Sequence, residues 1–405
     1  MESPIPSIPF PQPQKNKRFS AILVIVLVIV SILAGGLIGY AVSFSDFNQK
    51  LGSLQAQLQD NPQNSTYISY PNATYVIGGN ASLAQLYNQV RSSVVVVQDL
   101  VPETSFFGTL YTEQQGSGFV TTSDNQQVIV TNNHVIEDAI NVTVTIANGD
   151  SYPAKVLGSD PQADIAVLSI NPMPSGVTPL TLVSSETLQV GDPVVAVGSP
   201  YGLSGTLTTG VISAIGRTIT EESSSEESTG PIIPDIIQTS TAINPGNSGG
   251  PLLDYAGAVV GMTTAGVSNS QGLGFAIPSD TIQRELNALV STGSYNDHPS
   301  IDATGTDMNY QIAQAMGTNV TYGFLVESVS TEDGLKGGTT QVSILGSNII
   351  IGGDIIIALN GTRITNTDNL LSYLEQNTLP GQTASFTVVR NCQIQTISVT
   401  IGKLS

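Results

Sequence analysis

Between residue 94 and about residue 274, the chain contains many short runs of β-branched residues. This pattern is the strongest indication of the fold. Gly, Pro, Asn and Asp separate the runs. The clearest runs are 127–131, 142–146, 165–170, 194–197, 236–238 and 259–263. Regularly spaced short strands with turn residues between them are typical of an all-β barrel or sandwich, and do not fit alternating βαβ units. The sequence therefore predicts a mostly β fold for this part.

A second globular unit is predicted after the β-rich part. A helix is expected over residues 279–289, with Ser279 or Asp280 as its N-cap. A short linker follows, and residues 300–405 then mix strands with one helix near residues 369–375. A segment of about 100 residues is the size of a small independent domain.

The N-terminal region carries an uncharged apolar stretch from residue 21 to residue 40, directly after a small basic cluster. Twenty helical residues span about 30 Å, which is the thickness of a bilayer core. A cleaved signal peptide is the alternative, but its apolar core is usually about 7–15 residues long. We therefore predict a disordered cytoplasmic tail at 1–18 and an uncleaved signal-anchor helix at 19–43, with the rest of the chain outside the cell.

Residues 44–81 are predicted to form a stalk and linker. An amphipathic helix over 46–60 fits either a short coiled coil or a helix resting on the bilayer or on the domain. Glycosylation sequons begin at Asn64, Asn72, Asn80, Asn141, Asn319 and Asn360. Together these features predict a single-pass protein of the cell membrane whose folded domains are extracellular.

The charge balance and the rare residue types exclude several function classes. Lys and Arg total 12 against 31 Asp and Glu, so the formal charge is −19, and a chain this acidic is repelled by nucleic-acid phosphates. Cys392 is the single cysteine, which excludes internal disulfides, cysteine zinc sites and iron–sulfur clusters. With two histidines and no phosphate-binding glycine loop, the sequence predicts no metal and no cofactor.

The most specific local pattern is the segment 244–251, which reads NPGNSGGP. A serine between small residues in a tight turn is expected to be exposed enough to attack a carbonyl carbon. The flanking glycines allow backbone N–H groups to point at one spot. We therefore predict Ser248 as a nucleophile and the N–H groups of Gly246 and Ser248 as an oxyanion hole.

One histidine and one aspartate precede this serine, each at the boundary of a predicted strand. His134 stands at the end of a strand and Asp164 at the start of a buried strand, so the chain order is His134, Asp164, Ser248. Chymotrypsin-like enzymes use this order, with histidine as the base and aspartate holding its ring. Each residue also fits an ordinary structural role, and Asp160, which is followed by proline, fits a turn-forming acid. His298 is interpreted as structural.

Several of these segments resemble those of HtrA/Deg-type serine proteases, a chymotrypsin-like branch with an appended PDZ domain. The segments are TNNHVI at 131–136, ADIAVL at 163–168 and NPGNSGGPL at 244–252. Further similar segments lie at 116–120, 198–203, 211–214 and 272–278. The resemblance runs from about residue 82 to the C-terminus.

The resemblance implies a double β-barrel protease domain at 82–293, with the catalytic triad between the barrels, and a PDZ domain at 298–405. It also implies ATP-independent cleavage of unfolded or misfolded proteins by a homotrimer or a multiple of it. Within the second domain, Thr321, Tyr322, Gly323 and Phe324 resemble the loop that binds a peptide C-terminus, whose chain adds as a β-strand. An ordinary turn into a strand is the alternative for this tetrapeptide.

The sequence thus predicts a membrane-anchored serine endopeptidase that acts in protein quality control and binds unfolded proteins or peptides. Two other functions remain open at this point. One is a non-catalytic chaperone or peptide-binding scaffold, and the other is an esterase that uses the same triad.

Overall fold

The computed structural model describes residues 68–70, 73–75, 82–105, 108–199, 205–220, 231–264, 273–330 and 334–404. The predicted cytoplasmic tail and signal-anchor helix lie outside these residues. Of the predicted stalk, the structure describes an antiparallel pair, β1 (Ile68–Tyr70) and β2 (Ala73–Tyr75). None of the helices in the described ranges is long and apolar enough to cross a membrane.

The folded part begins with helix α1 (Leu83–Val90). Ser82 caps it, because its hydroxyl accepts from the Ala84 N–H while the Gln85 side chain accepts from the Ser82 N–H. This reciprocal capping box satisfies N–H groups that a helix N-terminus leaves without partners. Leu86 and Val90 lie on the buried face of the helix, so α1 is fixed against the core that follows.

The first six long strands close into an antiparallel barrel, in the order β3-β4-β5-β8-β7-β6. They are β3 (Val94–Ser105), β4 (Gly108–Ser123), β5 (Gln126–Thr131), β6 (Val142–Thr145), β7 (Ser151–Asp160) and β8 (Ile165–Ser169). Inward-facing β-branched and aliphatic side chains fill the barrel, as the short sequence runs predict. Val97, Val120, Ile129 and Leu168 are among its fully buried members.

The next six strands close a second barrel, in the order β10-β11-β14-β13-β12-β9. They are β9 (Pro193–Gly198), β10 (Thr206–Thr220), β11 (Ile232–Thr239), β12 (Pro251–Leu253), β13 (Val259–Thr264) and β14 (Gly274–Pro278). The mostly β, two-barrel architecture predicted for this part is therefore confirmed.

Helix α2 (Ser279–Thr292) follows the second barrel and returns to the first one. At Gly158 of β7, an added Cβ would lie 2.4 Å from the Leu289 carbonyl oxygen, so only glycine allows this close approach. The predicted N-cap is wrong, because Pro278 occupies that position. The Ser279 hydroxyl and the Asp280 carboxylate instead bind Val183 and the loop at 184–186.

The C-terminal part is a smaller mixed unit. Its main sheet has the order β16-β17-β20-β22-β23, with β21 paired to β20. These strands are β16 (Ala303–Asp307), β17 (Phe324–Val329), β20 (Ile355–Leu359), β21 (Thr362–Arg363), β22 (Thr383–Arg390) and β23 (Gln393–Thr400). Helix α4 (Thr367–Asn377) packs on this sheet through Leu370 and Leu374.

Smaller elements complete this unit. They are β15 (Pro299–Ser300), α3 (Tyr310–Met316), β18 (Thr340–Ile344), β19 (Ser347–Ile351) and β24 (Gly402–Lys403). The pairs β15–β24 and β18–β19 form separate two-stranded sheets. Since β15 pairs with the last strand, the start and the end of the unit are held together.

Candidate active site

His134 and Asp164 meet at one end of the first barrel. Thr131 of β5 pairs with Ala166 of β8, so the residues after β5 and before β8 are brought together. Nδ1 of His134 lies 2.9 Å from Oδ2 of Asp164 and 3.0 Å from Oδ1. The backbone N–H of His134 also donates to Oδ1 of Asp164 at 2.9 Å. Two contacts therefore fix the imidazole ring to this carboxylate.

Asp164 is held rigidly in a fully buried position. Its φ of +53° lies in the left-handed region, which aspartate tolerates better than most residues. The hydroxyl of Thr264 donates to Oδ2 at 3.2 Å, and the Asp164 carbonyl oxygen accepts from the Asn133 N–H at 3.2 Å. Thr264 is a site residue that the sequence analysis missed, because no local motif marks a contact across 100 positions.

Ser248 lies in the turn between β11 and β12, where glycine is required twice. Gly246 and Gly249 have φ of +94° and +84°, which side-chain-bearing residues rarely adopt. A Cβ on Gly249 would also lie 2.0 Å from the Ser117 carbonyl oxygen. Contrary to the expected exposure, Ser248 is only 5% exposed, because the turn packs directly against β4.

Ser117 of β4 organises the backbone around the serine. Its N–H donates to the Ser248 carbonyl at 2.7 Å, and its hydroxyl donates to the Gly246 carbonyl at 2.6 Å. That hydroxyl also accepts from the Ser199 N–H at 2.8 Å. With both carbonyls held this way, the N–H groups of Gly246 and Ser248 donate to no acceptor in the part of the chain that the structure describes. Unpaired N–H groups are what an oxyanion hole requires.

Gly116 of β4 is the point where the histidine loop and the serine turn meet. A Cβ added there would lie 2.7 Å from both methyl groups of Val135, the residue after His134, and 3.1 Å from the Ser248 carbonyl oxygen. Because a side chain at Gly116 would push the two segments apart, glycine allows them to close on each other. All three predicted catalytic residues are thus in the same region, at the boundary of the two barrels.

Asp160 does not pair with His134. Its Oδ1 accepts from the Gln162 N–H at 2.9 Å, which is the turn role expected of it. Its Oδ2 lies 2.6 Å from Nε2 of His298. His298, interpreted from sequence as structural, is buried and also contacts Glu375, so it connects the first barrel with helix α4.

Residues 321–324, predicted to be the loop that binds a peptide C-terminus, lead into a strand that has partners on both sides. Phe324 of β17 already pairs with Asp307 of β16 on one side and with Ile356 of β20 on the other. The Gly323 N–H donates to the Thr365 carbonyl at 2.9 Å. Since a strand can add only at an unpaired edge, no peptide strand can add to β17 at this tetrapeptide. Its role as the loop that binds the peptide carboxylate stays a prediction. Within the described residues, strand β16 pairs in the sheet with β17 alone, so its other edge is open there.

Comparison with known protein families agrees with this architecture. The family described as a trypsin-like peptidase domain matches residues 116–262, which contain His134, Asp164 and Ser248. The PDZ domain family matches residues 324–401.

Several curated proteins are similar over most of the chain. Protease Do-like 1, chloroplastic, of Arabidopsis thaliana is 37% identical over 321 residues, covering 78% of this chain and 71% of that protein. The probable periplasmic serine endoprotease DegP-like of Chlamydia muridarum is 36% identical and covers 72% of this chain. This chain spans 54% of that DegP-like relative. The putative serine protease HhoA of Synechocystis is 37% identical over 271 residues, or 65% of this chain and 64% of that protein.

Solved structures of similar proteins share the fold. The HtrA-type protease AlgW with decapeptide superimposes with a TM-score of 0.58 at 26% identity, covering 80% of this chain and 99% of the other. The serine endoprotease from Yersinia pestis gives a TM-score of 0.52 at 28% identity, with coverage of 80% and 98%.

Proposed function

Because this chain belongs to the HtrA/DegP-type serine proteases, which are serine endopeptidases with a PDZ domain, we propose that it hydrolyses unfolded or misfolded proteins without ATP through an acyl-enzyme on Ser248. The proposed domains are the protease domain at 82–293 and the PDZ domain at 298–405. One observation carries the proposal. His134 is fixed to a buried carboxylate beside a serine turn in which the N–H groups of Gly246 and Ser248 have no acceptor among the described residues.

In the first step, Ser248 Oγ attacks the peptide carbonyl carbon while Nε2 of His134 takes the hydroxyl proton. Asp164 supports this step, because a carboxylate on Nδ1 keeps a proton there and leaves Nε2 as the base. The N–H groups of Gly246 and Ser248 stabilise the oxyanion, and losing one such donor typically costs about 3 kcal/mol.

In the following steps, Nε2 returns the proton to the leaving amine as the C–N bond breaks and the acyl-enzyme forms. Water then attacks the acyl carbon with His134 again as the base, and Ser248 regains its proton. No cofactor or metal takes part in this sequence of bond changes.

We place peptide binding by the PDZ domain at the open edge of β16 (Ala303–Asp307). An extended peptide C-terminus adds there as a further strand, with main-chain hydrogen bonds supplying much of the affinity. Exposure of Thr304, Gly305 and Asp307 supports this location. The protein partners are then unfolded chains that present such ends.

The proposed location is outside the cytoplasm, with a membrane anchor at 19–43. The support is the apolar stretch of the sequence together with the periplasmic location in the names of the DegP-like relatives. A homotrimer or a multiple of it is the proposed assembly.

Ser248→Ala tests the proposed chemistry most simply. We expect cleavage of casein to fall by about 10⁶-fold, as removal of a triad serine does, and labelling by a fluorophosphonate to disappear. Ser291→Ala, an exposed serine on α2, is the matched control and keeps both activities.

The same two measurements separate the rival functions. A non-catalytic scaffold would leave the wild-type chain unlabelled, and an esterase would be labelled and cleave ester substrates while leaving casein intact. Either result would overturn the proposed endopeptidase activity.

A further inference from the structure

A cluster of charged side chains, all buried except the partly exposed Arg284, joins the protease domain to the PDZ domain. Its members come from β7, β11, α2, the connector between the domains, and α4. They are Asp160, Asp235, Arg284, Glu285, His298 and Glu375, and we call them the junction cluster. None of these residues belongs to the catalytic machinery.

His298 is the centre of the junction cluster. Its Nε2 lies 2.6 Å from Oδ2 of Asp160 in the first barrel, and its Nδ1 lies 3.2 Å from Oε1 of Glu375 in the PDZ domain. All three side chains are less than 10% exposed. A ring with a carboxylate on each nitrogen needs a proton on both, so His298 is an imidazolium that links the two domains.

A second set of contacts crosses the same junction. Arg284 donates to the backbone oxygen of Glu375 at 2.7 Å and to its carboxylate at 2.5 Å. Arg284 also donates to Oε1 of the neighbouring Glu285 at 3.1 Å. Gln376, the residue after Glu375, donates to Oδ1 of Asp235 at 2.7 Å. The PDZ helix α4 is thus held on both barrels through polar groups.

The junction cluster contains more acidic groups than basic groups. Four carboxyl groups surround two cations, Arg284 and His298, so the cluster is neutral only when two carboxyls keep their protons. Glu285 is one of the two, because it is fully buried and its Oε2 has no hydrogen-bond partner in the described residues. A proton on that oxygen would be donated to the nearby Asp160 carboxylate.

The electrostatic surroundings agree with this assignment. Burial and the charge of Asp160 raise the pKa of Glu285 well above its ordinary value, against the effects of Arg284 and His298. Burial raises the pKa of Asp235 to about 7, although Gln376 and Arg284 oppose the rise. Burial lowers the pKa of His298, but the hydrogen bonds to Asp160 and Glu375 outweigh this effect and raise the pKa to about 10.

We propose that docking of the PDZ domain onto the protease domain depends on protons held by Glu285 and Asp235, so that acid closes the junction and ionisation of these carboxyls loosens it. The sign follows from linkage: a carboxyl that binds its proton more tightly when docked favours docking at low pH and loses that contribution as pH rises through its docked pKa. Since ionised Glu285 and Asp235 would add two negative charges beside Asp160 and Glu375, the loosened state prevails above neutral pH.

The distance between the domains reports docking directly. Cys392, the single native cysteine, is exposed on the PDZ domain, and Gln126→Cys places a second label on an exposed position of the first barrel. In the doubly spin-labelled full-length chain, we expect one narrow distance distribution at pH 5 and a broader, longer one at pH 8.5. An unchanged distribution over this range would overturn the proposal, whatever the variants do.

Glu285→Gln with Asp235→Asn tests the assignment of the two protons, because amides imitate neutral carboxyls. This double variant should keep the narrow distribution at pH 8.5. The matched control is Asp99→Asn, which makes the same change at a buried carboxyl of the first barrel and should leave the wild-type transition intact. A transition that persists in the double variant would contradict the assignment.

A divalent cation could also balance these charges, since ligand atoms of Asp160, Glu285 and His298 lie within 4.8 Å of one another. Adding Zn²⁺ at pH 8.5, with a chelator as the reference, separates the two explanations. No effect of Zn²⁺ is expected. Zn²⁺ could instead restore the narrow distribution, and the chelator could abolish it at pH 5. These results would show that a cation, and not protons, balances the charges, and they would overturn the proposal.

Discussion

Two histidine–aspartate pairs lie in the same protease domain or at its border, and they differ in how the histidine is enclosed. His134 pairs with the carboxylate of Asp164, and its side chain is 28% exposed. His298 lies between two carboxylates with 7% exposure. A catalytic base must accept and return a proton within each cycle, whereas a structural imidazolium is stable only if it keeps its proton. The surroundings of a histidine, more than the presence of an aspartate, separate the two roles.

The substitution His134→Gln removes the proposed catalytic base. We expect the rate of casein cleavage to fall by at least about 10⁴-fold, because the serine loses its base. Since the ring is partly exposed, the urea midpoint of unfolding should change little. Steady-state cleavage and urea denaturation check the two halves of the prediction, and substantial remaining activity would mean that His134 is not the base.

His298→Gln should show the opposite pattern. The two buried carboxylates of Asp160 and Glu375 would lose their shared cation, and breaking a buried ion pair typically costs about 3–5 kcal/mol. We expect the free energy of unfolding at pH 6 to fall by that amount while fluorophosphonate still labels Ser248. A variant as stable as the wild type would show that His298 does not stabilise the fold.

Asp99 is a buried carboxyl of the first barrel that has no histidine beside it. Burial raises its pKa to about 6, although the backbone N–H groups of Gln114 and of Asp99 itself oppose the rise. The cost of ionising it is absent at pH 3 and grows as pH rises from its ordinary value through 6. Asp99→Asn should therefore stabilise the chain at pH 8 by about 2 kcal/mol and leave its stability at pH 3 unchanged. Urea unfolding at both pH values measures this, and equal effects at the two would contradict it.

Thr264 supports the catalytic pair from a distance, because its hydroxyl donates to Asp164. Thr264→Val keeps the shape and removes one hydrogen bond of about 1 kcal/mol, so kcat should fall about fivefold with little change in KM. Thr145→Val, on the far strand β6, is the control. No change in kcat would show that the His134–Asp164 contacts alone orient the pair.

The sequence predicted those parts of the molecule that are encoded locally. Short β-branched runs gave the strands of both barrels, and the motifs around His134, Asp164 and Ser248 identified residues that the fold brings to one region. Ser117 lies in the segment 116–120, which resembles HtrA/Deg-type proteases, but its role could not be predicted. Its two hydrogen bonds to the serine turn join residues more than 100 positions apart. Such contacts have no local signature.

Strand pairing and clusters of charged residues could not be predicted from the local sequence, because they also depend on residues that are far apart in the chain. The tetrapeptide at 321–324 looks like a peptide-binding loop by its residues, but whether β17 has an open edge depends on where β16 and β20 pair. The junction cluster joins β7, α2 and α4, so the local sequence indicates only a turn role for Asp160 and a structural role for His298.

Chemical modification followed by peptide mapping tests whether His134 activates Ser248. The wild-type chain is treated with diisopropyl fluorophosphate and the modified peptide is identified by mass spectrometry. We expect one adduct on Ser248, formed far more slowly in His134→Gln. An adduct on another serine, or equal rates in the two chains, would contradict it.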